Sequence, residues 1–178
     1  MLYFLTGVIV LLINYFAYES SLGVLGWNTV HLHTITDRLV FTLRLESLPL
    51  LVLLISNIHI MFARYKNPKT KNPLSGNDNL IALPIRVNQN NIEHYLLHLG
   101  NQLILATFLP EDKLKVLPLL AMLFFVGRIM FHLGFCSNPK YGTTASAVSL
   151  LPTIGVSGLN LYYLATQGLT ARLSSDRG

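Results

Sequence analysis

Charge is scarce in this chain. Lys, Arg, Asp and Glu together make up 12% of its 178 residues, against about 25% in a soluble domain. Hydrophobic residues make up 52%, and the mean hydropathy is +0.49. That balance excludes an ordinary soluble domain and a disordered chain, and leaves a membrane protein. Cysteine is almost absent. Cys136 stands alone, which rules out an intrachain disulfide. No N-x-S/T glycosylation acceptor, internal repeat or low-complexity tract is present. The net charge is +5, but the basic residues neither follow one helix nor interleave with aromatics. Nucleic acid is therefore not the expected partner; the lipid bilayer is.

What is present is a series of apolar runs. Met1 to Ala17 is broken only by Thr6 and Asn14. It has no positive n-region and no small-x-small site downstream, so a retained transmembrane helix over 2–18 is favoured over a signal peptide. Residues 19–38 form a lumenal connection with Trp27 as an interfacial anchor. His31 and His33 in it read as solvated loop residues rather than metal ligands. Further helices are expected over 39–63, 86–109, 114–134 and 145–166. In the second, Arg44 and Glu46 are placed at the membrane interface, with the apolar span starting at Ser47. Residues 64–85 form a loop rich in Lys and Pro. Residues 110–113 form a turn with Asp112 as N-cap, residues 138–142 form a second turn, and 167–178 are a polar tail. The expected fold is all-α and polytopic: an extra N-terminal helix within 1–38, a helical bundle over 39–166, then the tail. Lys and Arg concentrate at Arg64, Lys66, Lys69, Lys71 and Arg86, which sets loop 64–86 and the N-terminus on the cytosolic side.

One stretch departs from the apolar rule. Residues 86–101 read RVNQNNIEHYLLHLGN and open the third expected helix. Arg86, Asn90 and Glu93 share one helical face, and Asn90, His94 and Asn101 a neighbouring one. A charged residue at mid-bilayer costs roughly 2.5–3.5 kcal/mol on translocon scales, so this helix is expected to be the polar heart of a bundle. Arg128 is the one charge deep in the next helix. Glu93 lies as far before the intervening turn as Arg128 lies after it, so the two are expected to pair. The pair would either fix helix register or line a pocket for an anionic ligand. His94 and His98 are one turn apart, and His132 is one turn after Arg128. With no partner cysteine and no H-E-x-x-H motif, no metal site is assigned. Cys136 has no activator nearby in sequence.

Arg86-x-x-x-Asn90-x-x-Glu93, opening a membrane helix, resembles the signature of the MAPEG family, the membrane-associated proteins of eicosanoid and glutathione metabolism. Phe125-Val126-Gly127-Arg128 extends the match. Residues 106–120 and 159–163 resemble a five-helix branch of that family. The resemblance implies a four-helix unit over 39–166, a homotrimer, and glutathione as the one possible cofactor. Arg86, Asn90, Glu93 and Arg128 would then match glutathione-binding or site-supporting positions. His94, His98, Asn101, His132, Lys140 and Tyr141 are secondary candidates. Two departures stand out. Phe135 replaces the glutathione-contacting Tyr of the family's enzymes, and Thr144-Ala145 replaces the Arg that stabilises the thiolate. Lys140 and Tyr141 are the nearest substitutes, off the matching position.

The lead expectation is therefore a non-enzymatic regulatory or structural protein of the endoplasmic reticulum, Golgi and lysosomal membranes. Its branch of the family implies roles in membrane-receptor maturation, hence a receptor partner, and in epithelial barrier function. The rival is a glutathione-dependent transferase or peroxidase acting on lipophilic substrates; a channel or transporter ranks third. The topology is directly testable. A protease site inserted between Lys71 and Gly76 should be cut from the cytosolic face of sealed microsomes, while a C-terminal tag stays protected. Protection of the loop would reverse the orientation.

Overall fold

In hydrocarbon every backbone N–H and C=O needs an internal partner, so an apolar run long enough to span the bilayer folds as a helix. The structure, a computed structural model, describes residues 32–137 and 139–169; at 139–141, 143 and 144 it describes the backbone alone. The expected helix 2–18, Trp27, His31 and the tail from 170 lie outside the described residues, as do the side chains of Lys140, Tyr141 and Thr144. The described residues form α1 (Ile35–Leu45), α2 (Ser47–Lys66), α3 (Ala82–Phe108), α4 (Val116–Ser137) and α5 (Pro139–Gln167). Single 3-10 turns at Pro68–Thr70, Asp78–Ile81 and Glu111–Lys113 join them. No strand occurs among the described residues.

Three stretches are long and apolar enough to cross a membrane: Ile35–Lys66, Glu111–Ser137 and Ala145–Gln167. At 1.5 Å per residue the first, α1 plus α2, is about 48 Å long, well over a hydrocarbon core of about 30 Å. Thr34 caps it, its hydroxyl oxygen accepting from the Asp37 backbone N–H at 3.1 Å. The helix therefore starts before residue 39, and Glu46 lies within it, turned into the bundle. Glu46 is buried, 3% exposed, at the break between α1 and α2. Arg44 remains on the outer face. Pro49 occupies the first turn of α2, where its missing N–H costs little. On two of these stretches Leu133 and Leu161 are more than 60% exposed, as side chains meeting lipid must be.

Other boundaries follow from proline. α3 stops at Phe108 because Leu109 precedes Pro110 and takes an extended conformation, φ −67° and ψ 140°, as residues before proline do. Asp112 sits inside the 3-10 turn instead of capping α4, which begins at Val116. The turn expected over 138–142 is replaced by helix, since α5 begins at Pro139. Proline at the first helical position is pre-set for the helix and loses an N–H that had no partner there. α5 ends at Gly168, left-handed at φ 76°, whose N–H reaches the Leu164 carbonyl at 3.0 Å. Loop 67–81 is pinned rather than free. Arg64 donates to the Thr70 carbonyl at 2.7 Å and pairs with Asp78 at 3.1 Å.

The core gathers where α3 turns into α4. Leu45, Leu105, Ala106, Leu109, Leu114, Leu117 and Ala121 pack there. Buried Arg38 ties the start of α1 to that end by donating to the Leu109 carbonyl at 2.8 Å. α4 and α5 form the most extensive helix pair, and Gly127 lets them close. A Cβ at Gly127 would lie 2.9 Å from the Ser149 backbone nitrogen and 3.1 Å from its Cβ. Gly127→Ala should therefore cost about 1–3 kcal/mol by overpacking, read as a lower melting temperature in detergent. Gly155→Ala, with open space around the added carbon, should be neutral or slightly stabilising. Equal effects would show that α4 and α5 do not meet at Gly127.

Candidate functional site

The buried stripe of α3 runs Val87, Asn91, His98, Gln102, Leu105. It lies one position round from the face expected to be buried. Arg86 and Glu93 are exposed, and Asn90 and His94 flank the stripe. The polar residues of this helix consequently separate into distinct clusters.

Arg128 forms the first. Its side chain is fully buried, 0% exposed. Nε donates to Ser149 Oγ on α5 at 3.0 Å. Nη1 donates to Asn90 Oδ1 at 2.7 Å and to Asn91 Oδ1 at 3.2 Å on α3. Asn91 in turn donates to Ser56 Oγ on α2 at 2.6 Å, and Ser56 donates to the Val52 carbonyl at 2.9 Å. The guanidinium carbon stands 4.8 Å from the Phe131 ring centre and 5.7 Å from that of Phe124, within cation–π range. Glu93 is not its partner. The Glu93 carboxylate is exposed and accepts from Gln89 Nε2 at 3.1 Å. The expected Glu93–Arg128 pair is thus overturned by a rotation about the α3 axis: matched depth is necessary for pairing, but facing is also required. Nη2 of Arg128 is buried without an acceptor, and no carboxylate among the described residues pairs with the guanidinium.

In front of this cluster lies a cavity of about 380 Å³, lined by Arg86, Val87, Asn90, His94, Phe131, Phe135, Ser146 and Leu150. Arg86, Asn90 and His94, candidates from the sequence, therefore do converge. Phe135 supplies its wall, packed against Phe131 with ring centres 5.0 Å apart and against the backbone of Gly142, where a Cβ would collide with the ring. Ala145 is buried in the apolar cluster with Val87 and Phe131.

The remaining candidates lie elsewhere. His98 is buried and faces Glu46, Nε2 to Oε1 at 3.4 Å, and stacks on Phe124 at 4.2 Å. Asn101 donates to Ser157 Oγ at 2.9 Å, and Asn160 Nδ2 reaches the Asn101 carbonyl at 3.0 Å and its Oδ1 at 3.1 Å. That set fastens α3 to α5. His132 faces His59 of α2, ring nitrogens 3.1 Å apart. Sequence reasoning missed the parts played by Asn91, Ser149, Glu46, Asn160 and His59. Asn91 was discoverable as the polar residue one helical turn after Val87; Ser149 carried no signal.

A helical membrane bundle whose helices are bound through one buried arginine, beside a polar-mouthed cavity, defines the class. The MAPEG family model matches residues 47–162, and the chain belongs to that family. It is similar to Transmembrane protein 79, or mattrin, of mouse (Mus musculus): 26% identical over 150 residues, covering 82% of this chain and 37% of that protein. The corresponding protein of Bos taurus is 24% identical over 150 residues, covering 82% and 36%. The chain thus spans little more than a third of the length of these curated relatives. No solved structure matches it.

Removing Asn91 takes one of the acceptors of Arg128 and the donor to Ser56 out of a buried network, so Asn91→Ala should cost about 1–3 kcal/mol. Glu93→Gln, on the exposed face, should stay within about 0.5 kcal/mol of the parent. Detergent-unfolding midpoints measure both. A larger loss for Glu93→Gln would restore the carboxylate as Arg128's partner.

Proposed function

We propose that this chain is a membrane-embedded regulatory or structural protein that does not catalyse glutathione transfer. The observation that carries the reading is the apolar back wall of the cavity: Phe131, Phe135 and Leu150. A glutathione enzyme must hold a thiolate near neutral pH, which requires a cation or strong donor beside the sulfur. Phe135 brings no hydroxyl to that wall, and buried Ala145 brings no cation. One lost donor in an oxyanion-type site costs about 10²–10³ in rate, and two leave little above background. On this reading the polar set serves helix register and the assembly of a homotrimer in secretory or endolysosomal membranes. Similarity to Transmembrane protein 79 supports a role shared with that protein, which on this reading includes receptor maturation or epithelial barrier function and a membrane-receptor partner.

A second reading has an observation in its favour. Arg128 Nη2 has no acceptor, and Arg86, Asn90 and His94 ring the adjacent cavity. Such a mouth fits an anionic, hydrogen-bonding ligand such as glutathione, so binding can persist where turnover has gone. The purified protein should show no conjugation of glutathione to an electrophilic aromatic substrate above the Arg128→Ala background. Clear turnover abolished by Arg128→Ala would make the transferase reading correct. Turnover lost on Lys140→Ala would assign the thiolate to a displaced cation and equally overturn the proposal.

A further inference from the structure

α4 carries His132 and Cys136 four residues apart, on one side of the helix, and His59 of α2 faces them. His59 Nδ1 and His132 Nε2 are 3.1 Å apart. The ring centres are 5.0 Å apart, with the planes tilted by 59°. One ligand atom from each of His59, His132 and Cys136 lies within 4.8 Å of the others. We propose that these three side chains form a binding site for a borderline-soft divalent cation, zinc by preference, bridging α2 and α4.

The geometry suits that ion. With Zn–N bonds of about 2.0–2.1 Å and tetrahedral angles, two ligating nitrogens stand about 3.3 Å apart, close to the spacing seen. Without an ion, a 3.1 Å approach needs one ring to donate and the other to accept. With an ion, both lone pairs point at it. Cys136 is exposed at the last turn of α4, so rotation about χ1 can bring its sulfur the remaining distance. Two neutral imidazoles and one thiolate suit zinc in softness and number, leaving a fourth position open. An open cavity of about 240 Å³, lined in part by His59, Phe62, Ala63 and Pro84, gives water or a small anion access to it. Lys66 on the same wall opposes a bare dication, so the thiolate charge is needed, and binding must release the thiol proton.

None of the three side chains lines the cavity in front of Arg128. It was not evident in sequence because His59 and His132 are 73 residues apart; the His132-x-x-x-Cys136 spacing alone is too common to signal a site.

The test titrates cobalt(II) into the purified, reduced protein in detergent and follows the near-ultraviolet thiolate-to-cobalt band. One equivalent should saturate the band, and zinc should displace it. Cys136→Ser should abolish it, and His59→Gln should weaken cobalt affinity by at least about tenfold. Maleimide labelling of Cys136 in the parent should slow when zinc is added, which reads the site with no substitution at all. Absence of the band in the parent protein would overturn the proposal. So would a band of unchanged affinity in His59→Gln, which would leave a surface thiol binding cobalt by itself. His132→Ala is a further arm, and if it fails to fold, the exposed Cys136 and half-buried His59 still decide.

Discussion

The buried guanidinium of Arg128 is the constraint on which the rest of the bundle depends. A cation in a membrane interior persists by pairing, by facing water, or by collecting dipoles. Arg128 does the last. Its donors go to two amide oxygens of α3 and one hydroxyl of α5, and two aromatic faces cover its plane. Its own helix is α4, and the relay through Asn91 and Ser56 adds α2. One side chain therefore touches the packing of four helices. Hydrogen bonds between membrane helices average only about 0.6 kcal/mol each. Their force here lies less in the sum than in the penalty for any alternative packing that would leave the charge bare.

That constraint explains the close approach at Gly127. Ser149 can reach Nε of Arg128 only if α5 lies hard against α4, and only a residue without a side chain permits it one position before the arginine. Van der Waals contact between backbones and the hydrogen bond are thus a single feature. Lipid tails are as apolar as Leu, so apolar burial gives little drive for helices to associate within a membrane, and small residues with polar contacts supply it instead. The Asn101–Ser157–Asn160 set does the same for α3 and α5.

Much of this was legible beforehand. The all-helical membrane class followed from composition, three of the expected spans from run length, and the importance of Arg128 from its isolation in an apolar helix; the helix expected over 86–109 is too polar to count among the spans of the described residues. The family resemblance rested on Arg86, Asn90, Glu93 and Gly127-Arg128, and the family holds. What failed was rotation. A helix displays several candidate faces, and α3 has polar residues on most of its circumference, so periodicity could not choose between the Asn90 face and the Asn91 face. Glu93 was expected inside and is exposed, while Glu46, for which no facing was read from the sequence, is buried against His98. Depth along a helix can be counted from turns, but facing depends on neighbours whose own rotation is equally unknown.

The same geometry links the two polar regions of α4. Arg128, His132 and Cys136 are spaced by four residues, and each step of four advances about 400° around a helix of 3.6 residues per turn. The stripe therefore drifts by about 40° at each step and by about 80° over the three residues. That drift carries it from α3 and α5 at Arg128, to α2 at His132, to the outside at Cys136. Burial follows the drift: 0% exposed, then 8%, then exposed. α2 meets α4 twice in consequence, through Ser56 by way of Asn91 and through His59 directly. Ser56 and His59 are three residues apart on one face of α2. A force that draws His59 toward α4 acts on the same helix face that receives the Arg128 relay. One face of α2 therefore carries both the Ser56 end of the Arg128 relay and the His59 contact with α4.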